Sequence, residues 1–136
     1  MVAFKERYAK HYCDVRTSRG LNYHFLAVPA AASKPTLLFL HGFPSQSSDW
    51  HYQIEHFHSK GYGIVAPDLL GYGGTDKPTD LSTFKWKDMS KDVIDILDSL
   101  EWIKGTPVIS VSHDWWVRLS TVARQADFER LTCSPQ

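Results

Sequence analysis

Asp114 stands in the run Ser112-His113-Asp114-Trp115-Trp116, directly after the apolar stretch Pro107–Val111 and directly before a stretch of helical periodicity. A sharp turn from strand to helix can hold one side chain out in a strained conformation, ready to attack. A carboxylate held there can be a nucleophile that forms a covalent ester with its substrate. The turn is tight, so it asks for small residues two before and two after the nucleophile; Ser112 meets this and Trp116 does not. The same residues also fit Asp114 as a helix N-cap. A second group, His41-Gly42-Phe43-Pro44, follows the apolar run Thr36–Leu40. It fits a plain Gly/Pro turn. It also fits a loop whose Phe43 N–H is aimed at a developing negative charge, which with the N–H of Trp115 makes a two-donor oxyanion hole. The third group is Gly71-Tyr72-Gly73-Gly74-Thr75. No Gly-Lys-Ser/Thr follows at P-loop spacing, and position 76 is Asp where a dinucleotide fingerprint needs Gly. A glycine loop returning to the next helix is the simpler reading. His11, His24, His41, His51, His56 and His58 all precede the 112–116 turn, and His56 and His58 fall on different helix faces. They read as solvated surface side chains, and neither a metal nor a cofactor is expected.

The elements that would position these groups follow from hydrophobic patterning. His11–Arg16 and Leu21–Val28 read as two strands around Ser18-Arg19-Gly20, an antiparallel hairpin. Thr36–Leu40 is a continuous apolar run of strand length, as expected of a strand covered on both faces, and Tyr62–Pro67 and Pro107–Val111 read as further strands. Ser47–Lys60 reads as a helix capped by Ser47 or Ser48, with Trp50, Ile54 and Phe57 along one stripe and Gly61 as its stop. Met89, Val93, Ile96, Leu97 and Leu100 form the face of a second helix, with Lys87, Asp88, Lys91, Asp92, Asp95 and Asp98 largely away from it. Trp116, Leu119, Val122, Ala123 and Ala126 fit a third. Strands alternating with helices predict a mostly parallel sheet with helices on its faces, behind an N-terminal hairpin. In such folds function sits in loops beyond the carboxyl ends of the strands, and His41–Pro44, Asp68–Pro78 and Ser112–Trp116 all qualify.

Composition narrows the class. The chain has 136 residues, enough for one domain with a core, and 43% of them are hydrophobic. Lys+Arg and Asp+Glu stand at 15 each, a balance that argues against nucleic acid or an anionic membrane as partner. Met1–Cys13 is charged and lacks the apolar core of a secretory signal. The longest strongly apolar run, Leu37–Leu40, is too short to span a bilayer. Cys13 and Cys133 make no disulfide framework and read as reduced thiols of a cytoplasmic protein.

In order, spacing and placement, these groups match one family. Leu37–Trp115 closely resembles soluble epoxide hydrolases of the α/β-hydrolase superfamily, and Thr36–Pro78 is especially close to their fungal branch. Phe39–Pro44 (FLHGFP) looks like the oxyanion-hole segment, and Asp49–Gln53 (DWHYQ) like the start of the first long helix. Asp68–Pro78 (DLLGYGGTDKP) contains the family's G-x-small-x-Ser/Thr pattern. His113-Asp114-Trp115 looks like the nucleophile turn, usually Gly-His-Asp-Trp-Gly. The resemblance implies that Asp114 attacks an epoxide carbon, and that the Phe43 and Trp115 N–H groups stabilise the tetrahedral intermediate when water attacks the ester. It implies a small apolar epoxide as substrate, with Trp115 along the pocket and His41, Gly42, Pro44 and His113 as motif residues. It also implies parts that residues 1–136 do not supply. The family's order is nucleophile, acid, then His, yet no His follows His113, and Asp127 and Glu129 lie too near the turn to be the acid. No Tyr follows Tyr72, so cap tyrosines are absent as well.

The expectation is therefore a partial α/β-hydrolase core over residues 1–136, ending just after the elbow helix, without cap domain or C-terminal strands. It would be inactive as an epoxide hydrolase at this length. Pro107–Val111 would be an open apolar edge able to pair with a second copy. Two other readings remain: a catalytically dead fragment, with or without a partner-binding role, and a relative of the dehalogenases, which use an Asp nucleophile in a similar turn.

Overall fold

The computed structural model describes residues 1–31, 33–114 and 117. The described elements are α1 (Val2–Tyr8), β1 (Tyr12–Arg16), β2 (Asn22–Val28), β3 (Thr36–Leu40), α2 (His51–Ser59), β4 (Gly63–Pro67), α3 (Trp86–Asp98) and β5 (Val108–Ser112). The five strands form one sheet in the order β1-β2-β4-β3-β5. β1 pairs antiparallel with β2, and β2 antiparallel with β4. β3 runs parallel to β4 on one side and to β5 on the other. This is the expected hairpin followed by a parallel sheet.

β3 is buried along all five residues. Its side chains alternate between two cores, as the two-residue period of a strand requires. Leu38 and Leu40 pack with Val65, Tyr23, Phe25 and the α3 residues Met89, Val93, Ile96 and Leu97. Leu37 and Phe39 pack with Ile64, Ala66, Leu26 and, from α1 and α2, Phe4, Tyr8 and Ile54. One helix layer thus covers each face of the sheet.

The structure departs from the sequence reading in several places. The charged N-terminus forms α1, whose Phe4 and Tyr8, one turn apart, are buried and stacked at 4.7 Å. The helix expected over 47–60 opens as a 3-10 turn, Ser47–Trp50, before α2. Its cap is Gln46 with Asp49 in reciprocal side-chain bonds, not Ser47 or Ser48. The Ser47 hydroxyl is instead bonded to that of Tyr12. β5 begins and ends one residue later than read. Among the described residues it pairs only with β3, and Ile109 is 48% exposed. The stripe expected of a third helix, Trp116, Leu119, Val122, Ala123 and Ala126, and also Cys133, lie outside the described residues. No helix among the described residues is long and apolar enough to cross a membrane.

Asp92 is the clearest correction, because its side chain is fully buried rather than turned to solvent. It accepts from Arg19 Nε at 3.1 Å and from the Tyr23 hydroxyl at 2.9 Å. Burial pushes its carboxyl above the ordinary carboxylate range, while the Tyr23 bond and the Arg19 charge oppose that rise. Arg19 also donates to the Thr83 carbonyl, so the β1–β2 turn is tied to α3 and to the segment before it. Removing one partner of a buried pair leaves an uncompensated charge. Arg19→Met should lower stability by about 3 kcal/mol, and Tyr23→Phe by about 1 kcal/mol, read as urea midpoints at neutral pH. Equal, negligible shifts would show that Asp92 does not depend on them.

Candidate functional site

The chain leaves β3 for β4 on one side of it, and later returns as β5 on the other side. A crevice opens at the carboxyl ends of strands where successive connections diverge in this way. Two of the loops singled out in the sequence meet there. The β3 loop begins at His41, and the β5 turn begins at His113, whose N–H donates to the Leu40 carbonyl at 3.2 Å and extends the strand pairing.

Asp114 lies just beyond, with φ +63. This left-handed conformation is sterically costly for a residue with a Cβ, and a turn that holds one there presents its side chain sharply. The Asp114 carboxylate is exposed and accepts the Phe43 N–H at Oδ2, 3.3 Å away. Gly42 makes this approach possible. A Cβ built on it would lie 2.8 Å from Asp114 Cβ and 2.8 Å from His113 Nδ1. The β3 loop and the β5 turn are therefore in contact through a position with no room for a side chain. The Phe43–Pro44 peptide is cis, and the Phe43 ring is 71% exposed. Tyr72 faces it edge-on at 6.4 Å between ring centroids and faces His41 at 5.2 Å.

His41 departs furthest from the surface reading of the histidines: it is buried at 1% exposure, while His11, His24, His51 and His58 are half-buried. Its Nε2 is 2.9 Å from the Leu69 N–H, and its Nδ1 is 2.9 Å from the Gly42 carbonyl oxygen. An N–H can only donate and a carbonyl can only accept, so the ring is neutral with its proton on Nδ1. Burial lowers its pKa from the ordinary 6.5, against the opposing influence of the Gly42 bond and the Asp68 and Asp49 charges. Among the described residues no His, Cys, Asp and Glu side chains gather into a metal-binding group.

The glycine loop has a structural task that the sequence reading did not assign to particular residues. Asp68, the first residue after β4, is buried and accepts the Ser47 N–H at 2.8 Å and the Gly74 N–H at 2.9 Å. Thr75 donates its hydroxyl to the Asp68 carbonyl at 2.6 Å and accepts the His24 N–H at 2.9 Å. A side chain on Gly73 would collide with the Asp68 carboxylate. The available signal was an acid placed at the end of a fully buried strand, since such a group must find donors.

The structure thus brings together His41, Gly42, Phe43, His113 and Asp114, with Pro44 at the rim; Trp115 lies outside the described residues. With this geometry in place, the chain belongs to the α/β hydrolase fold family, whose sequence model matches residues 35–115. Its relatives narrow the class. The chain is 41% identical over 105 residues to human epoxide hydrolase 4, covering 76% of this chain and 28% of that protein. It is 38% identical over 114 residues to epoxide hydrolase srdG of Neurospora crassa, covering 80% of this chain and 33% of that one. A crystal structure of an epoxide hydrolase from Vigna radiata superposes with a TM-score of 0.76 at 32% identity, over 88% of this chain and 35% of that one. The chain spans roughly a third of the length of these relatives.

Two outcomes follow. Gly42→Ala should push the β3 loop away from the β5 turn and cost about 1–3 kcal/mol, visible as a lower denaturation midpoint and faster hydrogen exchange at the Phe43 amide. An unchanged midpoint and exchange rate would contradict the tight contact. His41 also sets a pH dependence. The unfolded chain protonates this ring below pH 6.5 while the folded chain resists, so its stabilisation is complete above pH 6.5 and lost as pH falls below it. His11 is shifted the same way, by burial and then by Lys10 and His58. The His41 share is therefore the difference between the native chain and His41→Gln in thermal unfolding from pH 8 to pH 5. Parallel curves for the two proteins would assign the whole effect elsewhere.

Proposed function

We propose that this chain carries the nucleophile and one oxyanion donor of an epoxide-hydrolase reaction on a small apolar epoxide. An Asp114 carboxylate oxygen bonds to an epoxide carbon, and the ring C–O bond breaks. The electron pair stays on the epoxide oxygen, which takes a proton from a solvent water molecule, leaving a 2-hydroxyalkyl ester on Asp114 and hydroxide in solution. Attack of water on the ester carbonyl gives a tetrahedral intermediate that releases the vicinal diol and restores the carboxylate. The Phe43 N–H, with that of Trp115, stabilises the oxyanion of this second step. One observation carries the reading: Asp114 sits at φ +63 after β5, with the Phe43 N–H from the neighbouring loop on its Oδ2. A helix cap would explain the aspartate but not a donor arriving from the β3 loop. The relatives named epoxide hydrolase supply the reaction type.

The second step needs a base. His113 adjoins the nucleophile in the turn, and His41 holds both ring nitrogens in structural bonds. His41 is therefore not free to activate water, and we expect the ester on Asp114 to accumulate. Incubation with styrene oxide should add the mass of one epoxide, mapped by fragmentation to Asp114, with no diol released; Asp114→Ala should gain nothing. No adduct, or one at Cys13 alone, would support the dead-fragment reading. Halide release from a chloroalkane, without epoxide capture, would transfer the chain to the dehalogenase reading.

A further inference from the structure

We infer that His41 is a positioning residue: it aims the Phe43 N–H at the Asp114 carboxylate by fixing the Gly42–Phe43 peptide from behind. Its importance for chemistry rests on the epoxide-hydrolase reading, whereas the geometry does not. Of the described peptides only Phe43–Pro44 is cis, so Gly42–Phe43 is trans. In a trans peptide the C=O and the following N–H point in opposite directions. The Gly42 carbonyl points at His41 Nδ1, 2.9 Å away. The Phe43 N–H therefore points the other way, to Asp114 Oδ2.

The ring that holds this carbonyl is itself held. Its Nε2 accepts the Leu69 N–H, in the backbone just after β4, and the edge of the ring faces Tyr72. Leu69 is fixed in turn by its neighbour Asp68, which binds the N–H groups of Ser47 and Gly74. A series of hydrogen bonds thus runs from the β4 loop, through one neutral imidazole, to the N–H that meets the nucleophile's seat. Gly42 has no side chain to hold its peptide, so rotation of that peptide is opposed from this side by His41. A merely structural role would need only the Leu69 bond, which closes a buried donor. The Nδ1 bond to Gly42 is the one that sets the direction of the Phe43 N–H.

Two substitutions separate the bonds. Asn places its amide nitrogen where Nδ1 stands and keeps a donor for Gly42. Gln reaches to the Nε2 position and keeps an acceptor for Leu69. In nitrogen-15-labelled chain the Phe43 amide proton should lie downfield of its position in Asp114→Ala. His41→Asn should retain that downfield position, and His41→Gln should lose it while the Leu69 amide stays unchanged. A His41→Gln chain that keeps the downfield Phe43 proton, or a folded His41→Asn chain that loses it, would overturn the inference. If His41→Gln does not fold, His41→Asn decides alone. The unsubstituted chain gives an independent check by ring nitrogen-15 spectroscopy at neutral pH. Protonated Nδ1 and bare Nε2 are expected; the opposite tautomer or a charged ring would overturn the assignment. None of these readouts depends on turnover, so a chain that fails to capture epoxide leaves them standing.

Discussion

Everything at the carboxyl end of this sheet is set by the pairing of β3 between β4 and β5. Its residues are buried on both faces, and their side chains belong to both cores. A strand fixed on two edges and two faces cannot shift register without moving a whole hydrophobic set to the wrong side. Leu40 therefore ends at a fixed height relative to Pro67 and Ser112, and the loops that follow these three residues start close together. The contact between Gly42 and Asp114 is the local consequence of that register rather than an independent feature.

From this follows a division between what the sequence discloses and what it conceals. β3, β4 and β5 were legible as short apolar runs of strand length, and of these β3 and β4 are buried at every residue. The hairpin, the 68–78 loop and the meeting of the β3 and β5 loops at the strand ends were legible for similar reasons, through turn chemistry and strand–helix alternation. The aspartate after β5 was legible by position, and the structure adds its backbone conformation and its donor. α1 was not legible, because Phe4 and Tyr8 are its only buried residues and charged neighbours surround them. Ser47 and Ser48 looked like caps because a short hydroxyl commonly serves there; the competing Gln46–Asp49 pair won, with Ser47 turned to Tyr12.

Asp92 and His41 show a deeper limit. Both are polar residues whose surroundings are supplied by distant parts of the chain: Arg19 and Tyr23 for one, Leu69 for the other. Local periodicity assigns such residues to solvent, since an unpaired buried polar group is costly. Only the tertiary partner removes that cost, and nothing near either residue announces it. The family resemblance named His41 as part of a motif but did not say what its ring does. The two bonds on opposite ring nitrogens supply that.

The strand order has one more consequence, in time rather than space. β2 finds its second neighbour only when β4 has been made, and β3 finds β5 later still, since Thr36 pairs with Val108. During synthesis the hairpin can close at once, but the most apolar strand of the chain leaves the ribosome with both its edges open. Distant pairings of this kind slow folding and prolong the exposure of aggregation-prone segments. Thr36–Leu40 therefore keeps one edge unpaired until Val108–Ser112 has been made, more than sixty residues later.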